Sequence, residues 1–267
     1  MTDETSAHGC ILQGRKVLVV GAGTRPTPDG DTDLTGNGRA ICVVAARAGA
    51  TVACADIDAG AATVTKALVD AGGGTAHVLT ADVGDADACA RVVADADDAM
   101  GGLDGLVCNV GIGAGMGMGG TSPAQWDEVF DINVRSHFLL AAAALPRMGA
   151  GGSIVFISSV AGLTAGSRIP AYDASKAALT GLCRQVAAEG ARRGVRANIV
   201  APGLIDTPLG RWATGGRPSR AKAPVPLGRQ GTAWEVAEPV VFLLSDKASY
   251  ITSQLLAVDG GLTGCRG

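Results

Sequence analysis

The sequence predicts an α/β fold, a doubly wound parallel sheet covered by helices on both faces and folded as one domain over residues 1–267. Three observations predict it. Short, continuously apolar runs recur along the chain, each followed by a stretch of helical character, as expected of parallel strands buried on both faces. No linker or shift in composition divides the 267 residues. A hydrophobic content of 47% is enough for one large core or two small ones, and the unbroken alternation favours one.

Taken in order, residues 1–13 read as a polar tail, and MTDETSAHGC lacks the basic flank and apolar run of a signal peptide. KVLVVG (Lys16 to Gly21) is a β-branched first strand, followed by the helical pattern RAICVVAARAGA from Arg39. TVACAD (Thr51 to Asp56) is the second strand, with a helix to about Gly72. HVLTAD (His77 to Asp82) is the third, with a helix to about Met100. GLVCNV (Gly105 to Val110) opens onto a long helical region. Its most apolar part, FLLAAAAL, is too short to cross a bilayer and stops at Pro146. SIVFIS (Ser153 to Ser158), VRANIVA (Val195 to Ala201) and LLAVDGG (Leu255 to Gly261) complete the series.

Composition excludes several functions. The formal charge of −3 argues against nucleic acid, whose binders carry a basic excess. The seven cysteines form no CxxC pair and read as small hydrophobes in a reducing cytoplasm. His8, His77 and His137 make no HxxxH pair, so no metal site is expected.

Two stretches carry chemistry. The first is VVGAGTRPTPDGDTDLTGNGRA, Val19 to Ala40. In a doubly wound fold the turn after the first strand meets a dinucleotide pyrophosphate at a helix N-terminus. Gly21 and Gly23 end the strand, while Gly36, Asn37 and Gly38 stand where the helix begins. A literal GxGxxG fails, because Pro26 occupies the third glycine's place. Taken alone, two ordinary glycine turns explain the stretch as well. Asp56, ending the second strand beside Ile57, adds weight. A carboxylate there accepts bonds from the adenosine ribose hydroxyls and repels a 2′-phosphate, which favours NAD over NADP. Its alternative role, capping the next helix, can be filled by Asp58.

The second stretch is IVFISSVAGLTAGSRIPAYDASKAALTGL. Tyr172 and Lys176 are four residues apart on a predicted helix and share a face. Ser159 lies at the carboxyl edge of the fifth strand, where ligands bind in open α/β sheets. A tyrosine is a poor base at neutral pH unless a neighbouring ammonium stabilises its phenolate. With that help, Tyr172 can exchange a proton with a carbonyl or hydroxyl while Ser159 bonds the same oxygen.

From about Gly14 to Gly261 these motifs resemble the classical short-chain dehydrogenase/reductase family. The resemblance places the family's Asn-Ser-Tyr-Lys set on Asn133, Ser159, Tyr172 and Lys176, with its usual interval of 13 residues between Ser159 and Tyr172. It assigns Asp82 and Val83 to the adenine ring. CNVGI keeps Asn109 and Gly111 of the family's Asn-Asn-Ala-Gly. APGLIDTPL supplies Pro202, Gly203, Ile205 and Thr207 to the nicotinamide carboxamide. It implies a Rossmann fold, hydride transfer between a secondary alcohol or ketone and NAD(H), a proton relay through Asn133, and a homotetramer or dimer. The chain departs from the family in its glycine loop. Fourteen residues separate Gly21 from Gly36 where the family has three. Residues 25–35 are therefore read as an insertion that points outward into solvent, ahead of a flap over the adenosine side or a contact with a neighbouring subunit, with Gly21, Gly36 and Gly38 still meeting at one phosphate site.

Specificity is weakly encoded. GIGAGMGMGG (Gly111 to Gly120) is either an apolar wall, through Met116 or Met118, or a plain surface turn. Residues 204–226 match the family's substrate lid. Arg211, Arg217, Arg220, Lys222 and Arg229 are either solvated or face an anionic substrate. The leading expectation is an NAD-dependent alcohol dehydrogenase or ketone reductase. A 3-oxoacyl-thioester ketoreductase is the alternative, and a cofactor-binding regulator without catalysis is the alternative of another class.

Overall fold

A computed structural model describes residues 9–27, 30–31, 33–215 and 225–265. Its strands are β1 (Lys16–Val20), β2 (Thr51–Asp56), β3 (Thr75–Thr80), β4 (Gly105–Cys108), β5 (Ser153–Ile157), β6 (Arg196–Pro202), β7 (Ile205–Asp206), β8 (Gly231–Thr232) and β9 (Leu255–Val258). Seven of them form one parallel sheet in the order β3-β2-β1-β4-β5-β6-β9, and β7 pairs with β8 separately. The helices are α1 (Asn37–Arg47), α2 (Ala59–Ala71), α3 (Ala86–Met100), α4 (Pro123–Phe130), α5 (Ser136–Ala144), α6 (Pro170–Ala191), α7 (Pro208–Gly215) and α8 (Ala233–Leu244). The chain is thus a single Rossmann-like α/β domain.

The central strands feed two cores, because successive side chains point to opposite faces. Val17 and Val19 join a cluster with Ile41, Val44, Val236 and Val240 of α1 and α8. Leu18 and Val20 join the other, with Val92, Leu140 and Leu179 of α3, α5 and α6. Strand order reverses direction on either side of β1 and β4, which opens a crevice at their carboxyl ends. Everything that follows lies along that edge.

Boundaries differ from the sequence reading by one to three residues. β3 starts and ends two residues early because its register pairs Thr75 with Thr51 and Thr80 with Asp56. Asp82 consequently sits in a turn. α1 begins at Asn37, two residues before the apolar pattern. Leu12, counted with the polar tail, is buried and donates its N–H to the Ala48 carbonyl. Among the described residues no helix is long and apolar enough to cross a membrane, and no three His, Cys, Asp or Glu side chains gather as metal ligands.

Candidate active site

The glycine loop closes on itself despite its length. A Cβ on Gly38 would lie 1.8 Å from the Gly21 carbonyl oxygen, so only glycine permits this approach. The Gly36 N–H donates to Thr24 Oγ1 at 3.1 Å, joining the two ends of the insertion. Gly36 caps α1 without any side-chain hydrogen bond, and the first turn holds no acid. The helix therefore presents its N-terminal N–H groups and positive dipole end toward the crevice, the arrangement that receives an anion. Beside it, the buried Asn37 Oδ1 has no partner among the described residues.

The capping role open to either acid falls to Asp58. Asp58 caps α2, accepting from Gly60 and Ala61 N–H groups at 2.8 and 3.1 Å. Asp56 accepts from Gly23 N at 2.7 Å and from Asp58 N at 3.1 Å. A carboxylate has roughly four acceptor positions, so two remain for hydroxyls. Ile57 is exposed and Val83 is buried, while Asp82 Oδ1 holds the Gly84 N–H at 2.9 Å. Asn109 Nδ2 donates to the Gly21 carbonyl at 2.8 Å, tying the end of β4 to the glycine loop.

The described residues of the insertion do not all project freely into solvent: Arg25, Pro26, Gly30 and Asp33 are exposed, but two contacts tie the segment to α7. Asp31 Oδ2 accepts from Arg211 of α7 at 3.0 Å, and Trp212 Nε1 donates to the Pro26 carbonyl at 3.2 Å. Thr27 is buried. The same Arg211 binds both carboxylate oxygens of Asp206, at 2.9 and 3.1 Å. One guanidinium thus sits between two carboxylates, an arrangement its rigid fork favours. Sequence reasoning treated the acids of one segment and the cations of the other separately, and so missed their pairing. Arg229 likewise pairs with Glu235, whose carboxyl is lowered to about 2 by that guanidinium and by the Thr232 N–H. Pro28, Asp29, Arg217, Arg220 and Lys222 lie outside the described residues.

The four residues of the predicted catalytic set come together beyond β4 and β5. α6 carries Tyr172 and Lys176 on one face, with Lys176 Nζ 5.7 Å from the centre of the Tyr172 ring. Lys176 is only 3% exposed and donates to the Ile157 carbonyl at 2.9 Å. Burial lowers its ammonium to about 8. Ser159, two residues past the end of β5, accepts from the Ala161 N–H at 3.2 Å and retains its own proton to donate. Asn133 occupies a π-helical turn, Asp131–Arg135, between α4 and α5. Such turns widen a helix locally and recur at functional sites. There Asn133 Oδ1 accepts from Ile112 N, and Nδ2 donates to the Ile112 carbonyl and to Ser175 Oγ, each at 2.9 Å.

Three supporting residues were not singled out by sequence reasoning. Ser175 lies inside the YDASK run and passes its own hydroxyl bond to the Tyr172 carbonyl at 2.8 Å. Ser158 Oγ donates to the Lys176 carbonyl at 2.8 Å, fastening α6 to β5. His137, one helical turn after Asn133, is fully buried with Nε2 3.1 Å from the Val110 carbonyl. Burial and the nearby Lys176 charge push it down to about 3, so its ring is neutral. In that state Nε2 is the donor to Val110.

Substrate-side segments surround this set. The Gly111–Gly120 stretch is a hydrogen-bonded turn, with Met116 N bonded to Gly120 O and Gly117 N to Arg168 O. A Cβ on Gly113 would stand 3.4 Å from Ile169 and 3.8 Å from the Tyr172 ring. Met118 points away from protein, 85% exposed. Pro202 ends β6 opposite Val258, and Gly203 packs so closely on Asp259 that a Cβ would come within 2.6 Å. Thr207 is buried and accepts the Gly210 N–H, starting α7 immediately after Ile205 and Asp206.

Known proteins resemble this chain over most of its length. The family model described as enoyl-(acyl carrier protein) reductase matches residues 32–263. The 2-(S)-hydroxypropyl-CoM dehydrogenase 3 of Xanthobacter autotrophicus is 40% identical, over 85% of this chain and 92% of its own. The 3-oxoacyl-(acyl-carrier-protein) reductase of Thermotoga maritima is 33% identical, over 94% and 98%. A short-chain dehydrogenase/reductase structure from Burkholderia xenovorans superposes with a TM-score of 0.88 at 35% identity, covering 96% of this chain and 99% of that one. A short-chain dehydrogenase from Burkholderia cenocepacia, solved in complex with NADP, gives 0.86 at 31% identity, covering 95% and 99%.

Proposed function

Because the chain belongs to the classical short-chain dehydrogenase/reductase family, we propose that this oxidoreductase of alcohols and ketones works through Asn133, Ser159, Tyr172 and Lys176, with NAD(H) as its preferred cofactor. The observation that carries the reading is the buried Lys176 ammonium beside the Tyr172 ring, on the same sheet edge as the glycine cradle.

The residues along the crevice suit a dinucleotide. Gly21, Gly23 and Gly38 let the loop pack so closely that an added Cβ would press on neighbouring protein atoms, and with Gly36 and Asn37 they would present backbone to the pyrophosphate at the N-terminus of α1, which no side chain caps. Asp56, with Ile57, would hold the adenosine ribose, and Asp82 with Val83 the adenine. Asn109, Gly111, Pro202, Gly203, Ile205 and Thr207 would flank the nicotinamide half. When bound, the nicotinamide would supply or accept the hydride.

The chain's own residues handle the proton. Ser159 donates to the substrate oxygen and orients it toward Tyr172. The Tyr172 hydroxyl gives a proton to a developing alkoxide, or as phenolate removes one from an alcohol. Lys176 stabilises the phenolate by charge, and its hold on the Ile157 carbonyl fixes where that charge sits. Asn133 holds the Ile112 backbone at the edge of the site and stands ready to order a water toward Lys176. The substrate is a small secondary alcohol or its ketone. A 3-oxoacyl thioester is the second reading, favoured by the likeness to the Thermotoga reductase along nearly its full length.

The test is steady-state kinetics of the purified protein with NADH and NADPH over a panel of ketones and 3-oxoacyl thioesters. Asp56 predicts a preference for NADH, narrowed or reversed in Asp56→Arg. A wide NADPH preference in the unmodified protein would remove Asp56 from the assignment.

A further inference from the structure

We infer that Pro26 and Asp31, in the insertion after Gly23, form a clasp with α7 that closes the dinucleotide crevice and sets how fast the cofactor leaves. This rests on the nucleotide reading given above. The insertion springs from the loop after β1, next to the glycine cradle. Its contacts, Asp31 with Arg211 and Pro26 with Trp212, lie on the segment that follows β6. In the sheet, β4 and β5 stand between β1 and β6. Three inter-strand spacings amount to about 14 Å. The clasp therefore reaches across the carboxyl ends of the two strands that lead to Asn109 and Ser159, where the extended dinucleotide would run. Arg211 extends the tie to Asp206, adjacent to Thr207 on the nicotinamide side.

The chemistry suits a clasp better than a fixed wall. Side-chain exposures of 29% for Arg211, 35% for Asp31 and 41% for Asp206 leave the ion pairs within reach of water and salt. Each such contact is weak, so the strap can open on the timescale of turnover and still slow release. Pairing with Arg211 also offsets the Asp31 charge, which a glycine loop meeting a pyrophosphate would otherwise carry unpaired.

The experiment is stopped-flow release of NADH, and separately of NADPH, followed by directly excited nicotinamide emission. The proteins are the unmodified full chain, Asp31→Asn, Trp212→Phe and the double variant. Asp31→Asn removes the charge, and Trp212→Phe keeps a ring while removing the N–H donor. Each single variant is expected to release roughly fivefold faster, and the double variant faster still, with melting temperature unchanged. Raising NaCl to about 0.5 M should speed release from the unmodified protein and leave Asp31→Asn nearly unaffected. Equal release rates for the unmodified and the folded double variant overturn the clasp. Failure of the unmodified protein to bind either dinucleotide overturns the underlying nucleotide reading, and the clasp with it.

Discussion

The two edges of the crevice are built differently. On the catalytic edge, Lys176, Ser158, Ser175 and Asn133 are buried, and they bond to main-chain groups of Ile157, Lys176, Tyr172 and Ile112. Breaking any of these strands a polar group away from water, so the edge has one geometry. On the edge formed by the insertion and α7, Asp31, Arg211 and Asp206 are partly exposed and joined by side-chain charge, and the exposed Trp212 donates to the Pro26 carbonyl. Those contacts exchange with water at little loss. The difference teaches where precision is spent: proton transfer needs atoms fixed within tenths of an ångström, whereas entry and exit need a contact that breaks every cycle.

The largest expected effect separates chemistry from geometry on the catalytic edge. Tyr172→Phe keeps the ring and its place on α6 and removes only the oxygen. Turnover should fall at least about a hundredfold, the scale of lost general acid–base catalysis, with NADH binding retained. Near-normal turnover would show that the edge is rigid for some purpose other than this proton.

Next in size is the acid response of the same edge. His137 sits neutral in the fold at about 3, against an ordinary value of 6.5, facing the Lys176 charge and the Val110 carbonyl. Between those values the unfolded chain binds the proton and the folded chain does not. Stability therefore falls as pH drops from 6.5 toward 3, by at most about 1.4 kcal/mol per pH unit. His137→Leu removes that titration. Its unfolding free energy from urea titration, compared at pH 6.5 and 4.5, should fall by about 2 kcal/mol less than the parent's. Identical losses would mean that the buried ring does not couple folding to protons.

The same contrast between edges explains what the sequence disclosed. Apolar strands such as KVLVVG and SIVFIS showed the sheet because burial on both faces leaves no other composition. Tyr172 and Lys176 were legible because four residues on a helix define a face. That Gly21 and Gly38 stand close despite the insertion was legible because glycine is needed where two backbones touch. The Asp31–Arg211 pair was not, since its partners are 180 residues apart and nothing local links an acidic loop to a basic one. His137 and Ser175 were also missed. Their role is set by which carbonyl faces them, and that depends on the π-helical turn at Asn133, for which DINVR gives no warning.

The smallest expected effect probes the wall between the two edges. Gly113 faces the Tyr172 ring, and an added Cβ would meet Ile169 and Tyr172 at 3.4 and 3.8 Å, ordinary contact distances. Gly113→Ala should thus fold normally, since it neither clashes nor strains the backbone. Its methyl would stand against the Tyr172 ring on the substrate side proposed above. A pocket discriminates one methyl by roughly 1 kcal/mol or more. Bulky ketones should lose about fivefold in kcat/KM while small ones are unchanged, with the loss mainly in KM and the NADH release rate unaffected. A uniform loss across the panel would place the Gly111–Gly120 turn on the rigid catalytic edge. A loss confined to large substrates would make this turn the side of the crevice that selects them, independent of the clasp that closes it.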